Sequence, residues 1–315
     1  LAELGRPDPA DRLGWPSAGS GEAAGRIEDH LVRREDDYLA DIAACRRELI
    51  RGESYEVCLT NRLRLPIDGP DPAHDLAFYQ RLRRANPAPY AALLRIGDLT
   101  VFGSSPERFL RIRPDGEVES RPIKGTAPRD PDPRRDAEFA AALAADPKTR
   151  AENLMIVDLL RNDLGRVCEI GSVRVPEYLA VESYATVHQL VSSVRGRLRP
   201  GVGPVECVRS CFPGGSMTGA PKARTMEIID RLETEARGVY SGALGYFGLS
   251  GGADLSIVIR TVVRHGDELT VGAGGAIVLG SDPRQEYAEM LLKAAAPMRA
   301  CRAPSRLAVS MAENG

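Results

Sequence analysis

The chain has 315 residues, with 42 Lys plus Arg against 44 Asp plus Glu and a net charge of -2, a balance that excludes a dedicated nucleic-acid binder. With 43% hydrophobic but only 5% aromatic residues, its core must be built mainly of Leu, Val, Ile and Ala. No apolar run has the length of a membrane span, no signal peptide opens the chain, and six scattered cysteines without a metal-site pattern read as reduced thiols, so a cytoplasmic location is expected. Only four residues are lysine (Lys124, Lys148, Lys222 and Lys293) against 38 arginines, which raises the question of whether an amine is required at each.

Residues 1–30, rich in Gly, Ala and Pro without periodicity, read as a flexible arm or linker; 31–302 as the folded domain; 303–315 as a C-terminal tail. Tyr38, Ile42, Cys45 and Leu49 share one helical face, and Gly52 caps that helix. The alternation of Tyr55, Val57 and Leu59 predicts a half-buried strand, and Leu76, Tyr79 and Leu82 a second helix. Short strands are expected from Tyr90 to Ile123, broken at Gly97-Asp98 and Pro114-Asp115-Gly116, then helices over Arg134–Ala145 and Arg150–Asn162. Strands follow within Val173–Leu198 and helices over Val205–Phe212 and Ala220–Leu232. Three strands (Ser241–Leu249, Leu255–Arg264, Leu269–Val278) and a helix over Pro283–Arg299 complete the pattern. Strands in runs, rather than strictly alternating with helices, predict an α+β fold with large antiparallel sheets.

Five segments carry candidate chemistry. Glu107 lies in a Ser-Pro-Glu-Arg turn and reads either as a turn acid paired with its Arg or as a functional carboxylate. Lys124, between Ile123 and Gly125 at a strand end, is either an exposed loop lysine or an amine aimed into a cleft, where desolvation would favour its neutral, nucleophilic form. Glu152 begins a helix whose apolar residues cover most of its circumference, so it is a dipole-favoured cap or a hard-cation ligand. Glu286, Glu289 and Lys293 share one helical face and form a surface salt bridge or, with Glu152, the carboxylates that Mg²⁺ takes. Gly214-Gly215 opens a segment that could receive an anion but lacks Walker spacing, and Gly274-Gly275 permits close backbone contact with a ligand in a strand. His188 divides evenly between packing and function.

In combination these segments resemble the chorismate-utilising enzymes. The resemblance runs from about Tyr38 to Cys301 and rests on five motifs in order: SPERF at Ser105, RPIKGT at Arg121, AENLMIVDLLRND at Ala151, PGGSMTGAPKARTMEIID at Pro213, and an IRT strand followed by an EYAE helix. It implies two large face-to-face antiparallel sheets with outer helices, binding chorismate and Mg²⁺ between them. It also implies Glu152 and Glu289 as metal ligands with Glu286 nearby through water, and Gly125, Thr126, Tyr240, Arg260, Gly274, Gly275 and Lys293 as substrate contacts. RPIKGT marks the aminodeoxychorismate-forming branch; anthranilate synthases usually have Ala in place of Lys124. In that branch the lysine is thought to attack C2 of chorismate while a glutamate matching Glu107 assists departure of the 4-hydroxyl, after which ammonia enters at C4. The alternatives are an anthranilate synthase and a non-catalytic chorismate-binding partner of an amidotransferase.

Two positions depart from the family pattern: Gln189 stands where many relatives have His, with His188 one residue earlier, and Ala276 replaces a usual glycine. By alternation His188 faces the opposite side, which argues against a catalytic role. The chain carries no Cys-His-Glu amidotransferase signature, so ammonia is expected from a glutamine amidotransferase, separate or fused. It starts at Leu1 and lacks most of the family's N-terminal lobe, so it is expected to be the catalytic portion of a longer protein.

Overall fold

The structure is a computed structural model describing residues 26–67, 72–184 and 187–302; most of the predicted arm, through residue 25, and the tail from 303 lie outside the described residues. The last residues of the predicted arm, Ile27–His30, form a 3-10 turn packed against the first strand and the last helix. Helix α1 (Glu35–Ile50) follows, with Glu35, Asp36 and Asp37 in its first turn, where the helix dipole favours acids. It buries the expected stripe of Tyr38, Ile42, Cys45 and Leu49. Its end is a Schellman motif: the Gly52 N–H donates to the Leu49 carbonyl and the Glu53 N–H to that of Glu48, with Gly52 at φ +77°.

Strand β1 (Glu56–Pro66) is buried on both faces over its first six residues, not on one. The expected alternation fails because helices cover one face and the second sheet the other, while Tyr55 lies outside the strand and is exposed. Next come α2 (Pro72–Ala85), β2 (Tyr90–Ile96), β3 (Leu99–Ser105), β4 (Arg108–Ile112), β5 (Glu117–Arg121) and β6 (Ile123–Pro128). Helices α3 (Pro133–Ala145) and α4 (Pro147–Gly165) are each capped by an aspartate side chain, Asp132 and Asp146, with proline in the first turn. Strands β7 (Arg174–Ser183) and β8 (Val187–Arg197) lead to α5 (Pro204–Cys211), the two-residue strand β9 (Gly219–Ala220) and α6 (Lys222–Leu232). The remainder is β10 (Ala243–Phe247), β11 (Ala253–Ile257), β12 (Val262–His265), β13 (Glu268–Ile277) and α7 (Pro283–Arg302).

Two antiparallel sheets result, as expected for an α+β fold. One has the order β2-β3-β12-β13-β1-β9, the other β10-β11-β4-β5-β8-β6 with β7 also on β8. The predicted strand Leu255–Arg264 is in fact two, β11 in the second sheet and β12 in the first. The chain turns between them at Arg260, whose φ of +52° ends one strand and redirects it into the other sheet. One apolar cluster lies under α1, α2, α6 and α7 on the first sheet and includes Phe78, Phe102, Leu59 and Met290. The other, with Phe109, Ile156, Leu164 and Val194, lies under α4 and α5 on the second.

Candidate active site

Lys124, on β6 of the second sheet, reaches across to the first, where its Nζ donates to Glu56 Oε1 of β1 at 2.9 Å. Its side chain is 10% exposed and that of Glu56 fully buried. Burial by itself pulls the lysine down, but the carboxylates of Glu56 and Glu152 outweigh it and hold the ammonium above the ordinary lysine range. The expectation that burial leaves this amine neutral is therefore corrected: at rest it is charged, because acids lie beside it. Glu107, at the turn from β3 to β4, is likewise buried, and burial pushes its carboxyl up to about 7 against the pull of Ser216, Lys124 and Lys293. It does not pair with its neighbour Arg108, whose guanidinium binds Glu119 and Asp254 instead. One wall thus holds a cationic amine and a carboxyl that is half protonated near neutrality.

The acids of α4 and α7 gather beside this pair. Lys148, in the first turn of α4, donates to Glu286 Oε1 at 2.7 Å and lies 3.7 Å from Glu152 Oε1. Lys293 pairs with Glu289 at 2.7 Å and donates to the Gly274 carbonyl at 2.9 Å. Burial pushes Glu152 up, while Glu289 is lowered because Lys293, Lys148 and Lys124 outweigh its burial. A Cβ on Gly275 would lie 3.3 Å from Glu286 Oε2 and 3.6 Å from Lys293 Nζ, so this glycine opens β13 toward the charged cluster. The neighbouring Gly274 instead permits close packing of β13 on β1, since its Cβ would sit 2.3 Å from the Leu59 carbonyl oxygen. Arg260 at the crossing between sheets feels both Tyr240 and Glu289, and burial pulls its guanidinium down. The Tyr240 ring lies over Gly272, where a Cβ would overlap it at 2.2 Å. Among the described residues no group of three His, Cys, Asp or Glu is spaced to hold a metal ion; Glu152, Glu286 and Glu289 have lysine partners.

Not every expected residue converges. Gly125 has φ +83°, but the space its missing side chain leaves is filled by Thr149 and Leu143 rather than left for a ligand. Thr126 is exposed on β6, opposite Gln189. His188 is a packing residue: buried, it makes hydrogen bonds to Asp136 at 2.9 Å and Ser183 at 2.8 Å. Gly214 and Gly215 serve packing too, pressed against Ile257 and Leu159, and Lys222 ties α6 to α4 and α5 through Asp163 and the Cys211 carbonyl. Sequence reasoning missed Glu56, Lys148 and Ser216. For Glu56 there is no local signal; for Lys148 the scarcity of lysine is the one signal the sequence offers.

The model of the chorismate binding enzyme family matches residues 15–299. The aminodeoxychorismate synthase of Streptomyces pristinaespiralis is 61% identical over 276 residues, which cover 88% of this chain and 38% of that protein. Aminodeoxychorismate synthase component 1 of Klebsiella aerogenes is 43% identical over 286 residues, 90% of this chain and 62% of that protein. The chain therefore spans less than two thirds of the length of either relative. The crystal structure of anthranilate synthase component I from Streptococcus pneumoniae TIGR4 superposes with a TM-score of 0.77 at 35% identity, over 85% of this chain and 59% of that one. With the family's match covering most of the chain and the two-sheet architecture shared, the chain belongs to the chorismate binding enzymes.

Proposed function

We propose that this chain is the catalytic portion of an aminodeoxychorismate synthase, which replaces the 4-hydroxyl of chorismate by an amino group from ammonia and so serves para-aminobenzoate formation. The observation that carries the reading is the buried lysine, Lys124, whose charge acts on the half-protonated Glu107. The relatives named as aminodeoxychorismate synthases support it. The Lys124 amine, once deprotonated, forms a bond to ring C2; the ring double bond shifts, and the C4–O bond breaks as Glu107 protonates the departing oxygen, releasing water. Ammonia then bonds to C4, the double bond shifts back, and the C2–N bond breaks with its electron pair returning to Lys124. The new ammonium gives its extra proton to Glu107, so the acid is restored.

Magnesium belongs to this proposal. The donor chemistry fits: Glu152, Glu286 and Glu289 offer only oxygen, and like charges so close together need a cation, a need that Lys148 and Lys293 meet in this structure. When bound, the metal would hold the ring carboxylate and neutralise charge. The ring's remaining contacts fall to Arg260, Tyr240, the backbone at Gly274 and Gly275, and Lys293. The name "component 1" of the Klebsiella relative supports a glutamine amidotransferase as the source of ammonia. A reducing, cytoplasmic setting fits five buried free thiols, and no described helix is long and apolar enough to cross a membrane.

The test is incubation of the full-length protein with chorismate, Mg²⁺ and an ammonium salt, with products identified by mass spectrometry. The expected product is 4-amino-4-deoxychorismate, lost in Lys124→Ala. Anthranilate with released pyruvate would make it an anthranilate synthase, and chorismate binding without turnover would leave it a non-catalytic partner of an amidotransferase.

A further inference from the structure

We infer that Glu56 is the base that takes the proton from Lys124 before the amine attacks the substrate, an inference that rests on the amination reading above. An ammonium has no lone pair, so Lys124 must lose a proton to something, and Glu56 Oε1 is hydrogen-bonded to its Nζ at 2.9 Å. The second carboxylate oxygen, Oε2, is buried and has no hydrogen-bond partner, the only such carboxylate oxygen among the described residues. An orphaned acceptor in a fully buried ion pair calls for an explanation, and receipt of a transferred proton supplies one. The backbone that carries this carboxylate is also held in place. Glu56 pairs with Ala220 of β9, its carbonyl accepts from Ser54 Oγ at 2.8 Å, and Gly219 closes directly onto that carbonyl.

The charged and titratable groups facing this pair come from four other directions. They are Glu152 on α4, Glu107 at the β3–β4 turn, Lys293 and Glu289 on α7, and the buried thiol of Cys58 on β1 itself. Of these, Glu107 is assigned to the leaving oxygen and Glu152 and Glu289 to the cation. Glu56 alone touches the amine and has no other task. In the forward step one proton moves from Lys124 Nζ to the Glu56 carboxylate, and the freed lone pair forms the bond to C2. When ammonia has displaced the lysine from the ring, the neutral amine recovers that proton from Glu56, and the resting ion pair is restored with no net gain or loss.

The experiment is steady-state amination by the full-length protein and its Glu56→Gln variant, from about pH 6.5 to 9, with free ammonia held constant. Formation of the 4-amino product by the unmutated protein is checked first; its absence fails the functional reading and not this one. Glutamine keeps a hydrogen-bonding side chain but cannot take the proton. E56Q should therefore lose roughly 10²-fold in kcat near neutrality with KM for chorismate little changed. The ratio of its kcat to that of the unmutated protein should also rise about tenfold per pH unit, as solvent removes the proton instead. Glu56→Asp, which retains a carboxylate, should lower kcat without that rise, and serves if E56Q does not fold. An E56Q kcat within about threefold of the original with the same pH profile, or an alkaline rise in E56D, overturns the assignment.

Discussion

Replacing Glu107 by glutamine removes the proposed proton donor while keeping the size of the side chain, and the structure sets what should follow. Burial moves this carboxyl from an ordinary 4.5 to about 7, which corresponds to about 3 kcal/mol against the ionised form. Because the folded value lies above the unfolded one, the folded chain holds the extra proton between them. The stability from this group is therefore fully present below pH 4.5 and lost as pH rises through about 7. Glu107→Gln abolishes that titration, so the variant should gain on the original chain as pH rises, by up to about 3 kcal/mol above neutrality. Catalysis should move the other way. Loss of a general acid costs roughly 10²- to 10⁴-fold in rate, and kcat/KM of the unmutated protein should fall about tenfold per unit above pH 7. The variant should lack that falling limb. The assays are urea denaturation at pH 6 and pH 8, and amination kinetics over the same range with free ammonia constant. If E107Q keeps the falling limb, or is less stable than the original at pH 8, Glu107 is not the buried acid described here.

Two further substitutions test lysines outside the reacting pair. Lys148→Met removes the ammonium that Glu286 and Glu152 share, so a divalent cation should bind more tightly. Lys148 is partly exposed and solvent screens it, which limits the gain to about 1 kcal/mol or roughly fivefold in Kd. Titration with Mn²⁺ followed by electron paramagnetic resonance measures it, and unchanged or weaker binding counts against the acids forming a cation site. Lys222→Met leaves Asp163, 1% exposed, with only Arg166 as a charged partner. A loss of about 3 kcal/mol in urea denaturation is expected, with amination kcat unaltered at temperatures where the variant is folded.

Local periodicity made α1 legible, because its four buried residues recur at helical spacing on one element packed against one core. It failed at β1, where the same kind of pattern suggested one buried face. Burial of a strand between a helix layer and a second sheet is decided by segments remote in sequence, such as α6 and β6, and Glu56 meets Lys124 only because the two sheets face each other. The break at Arg260 was hidden for a related reason. A run of β-branched residues reads as one strand from 255 to 264, and only the left-handed backbone at Arg260 divides it between two sheets. The motifs single out Glu107, Glu152, Glu289 and Lys293, charged groups that act on one another and on Lys124 in the folded chain, whereas Glu56, its pairing partner, belongs to no motif.

The lysine scarcity acquires a physical meaning from those partners. Each of the four amines is hydrogen-bonded to an acid: Lys124 to Glu56 at 2.9 Å, Lys148 to Glu286 at 2.7 Å, Lys222 to Asp163 at 2.6 Å and Lys293 to Glu289 at 2.7 Å. Pairing alone therefore does not identify a reacting lysine, since Lys222 has the same kind of partner and only fastens three helices. What separates Lys124 is its acid. Asp163 satisfies two cations, Glu286 receives Ser281 as well as Lys148, and Glu289 is half exposed to water. Glu56 alone is fully buried with an oxygen unmatched, and on that difference its proposed role as the base for Lys124 rests.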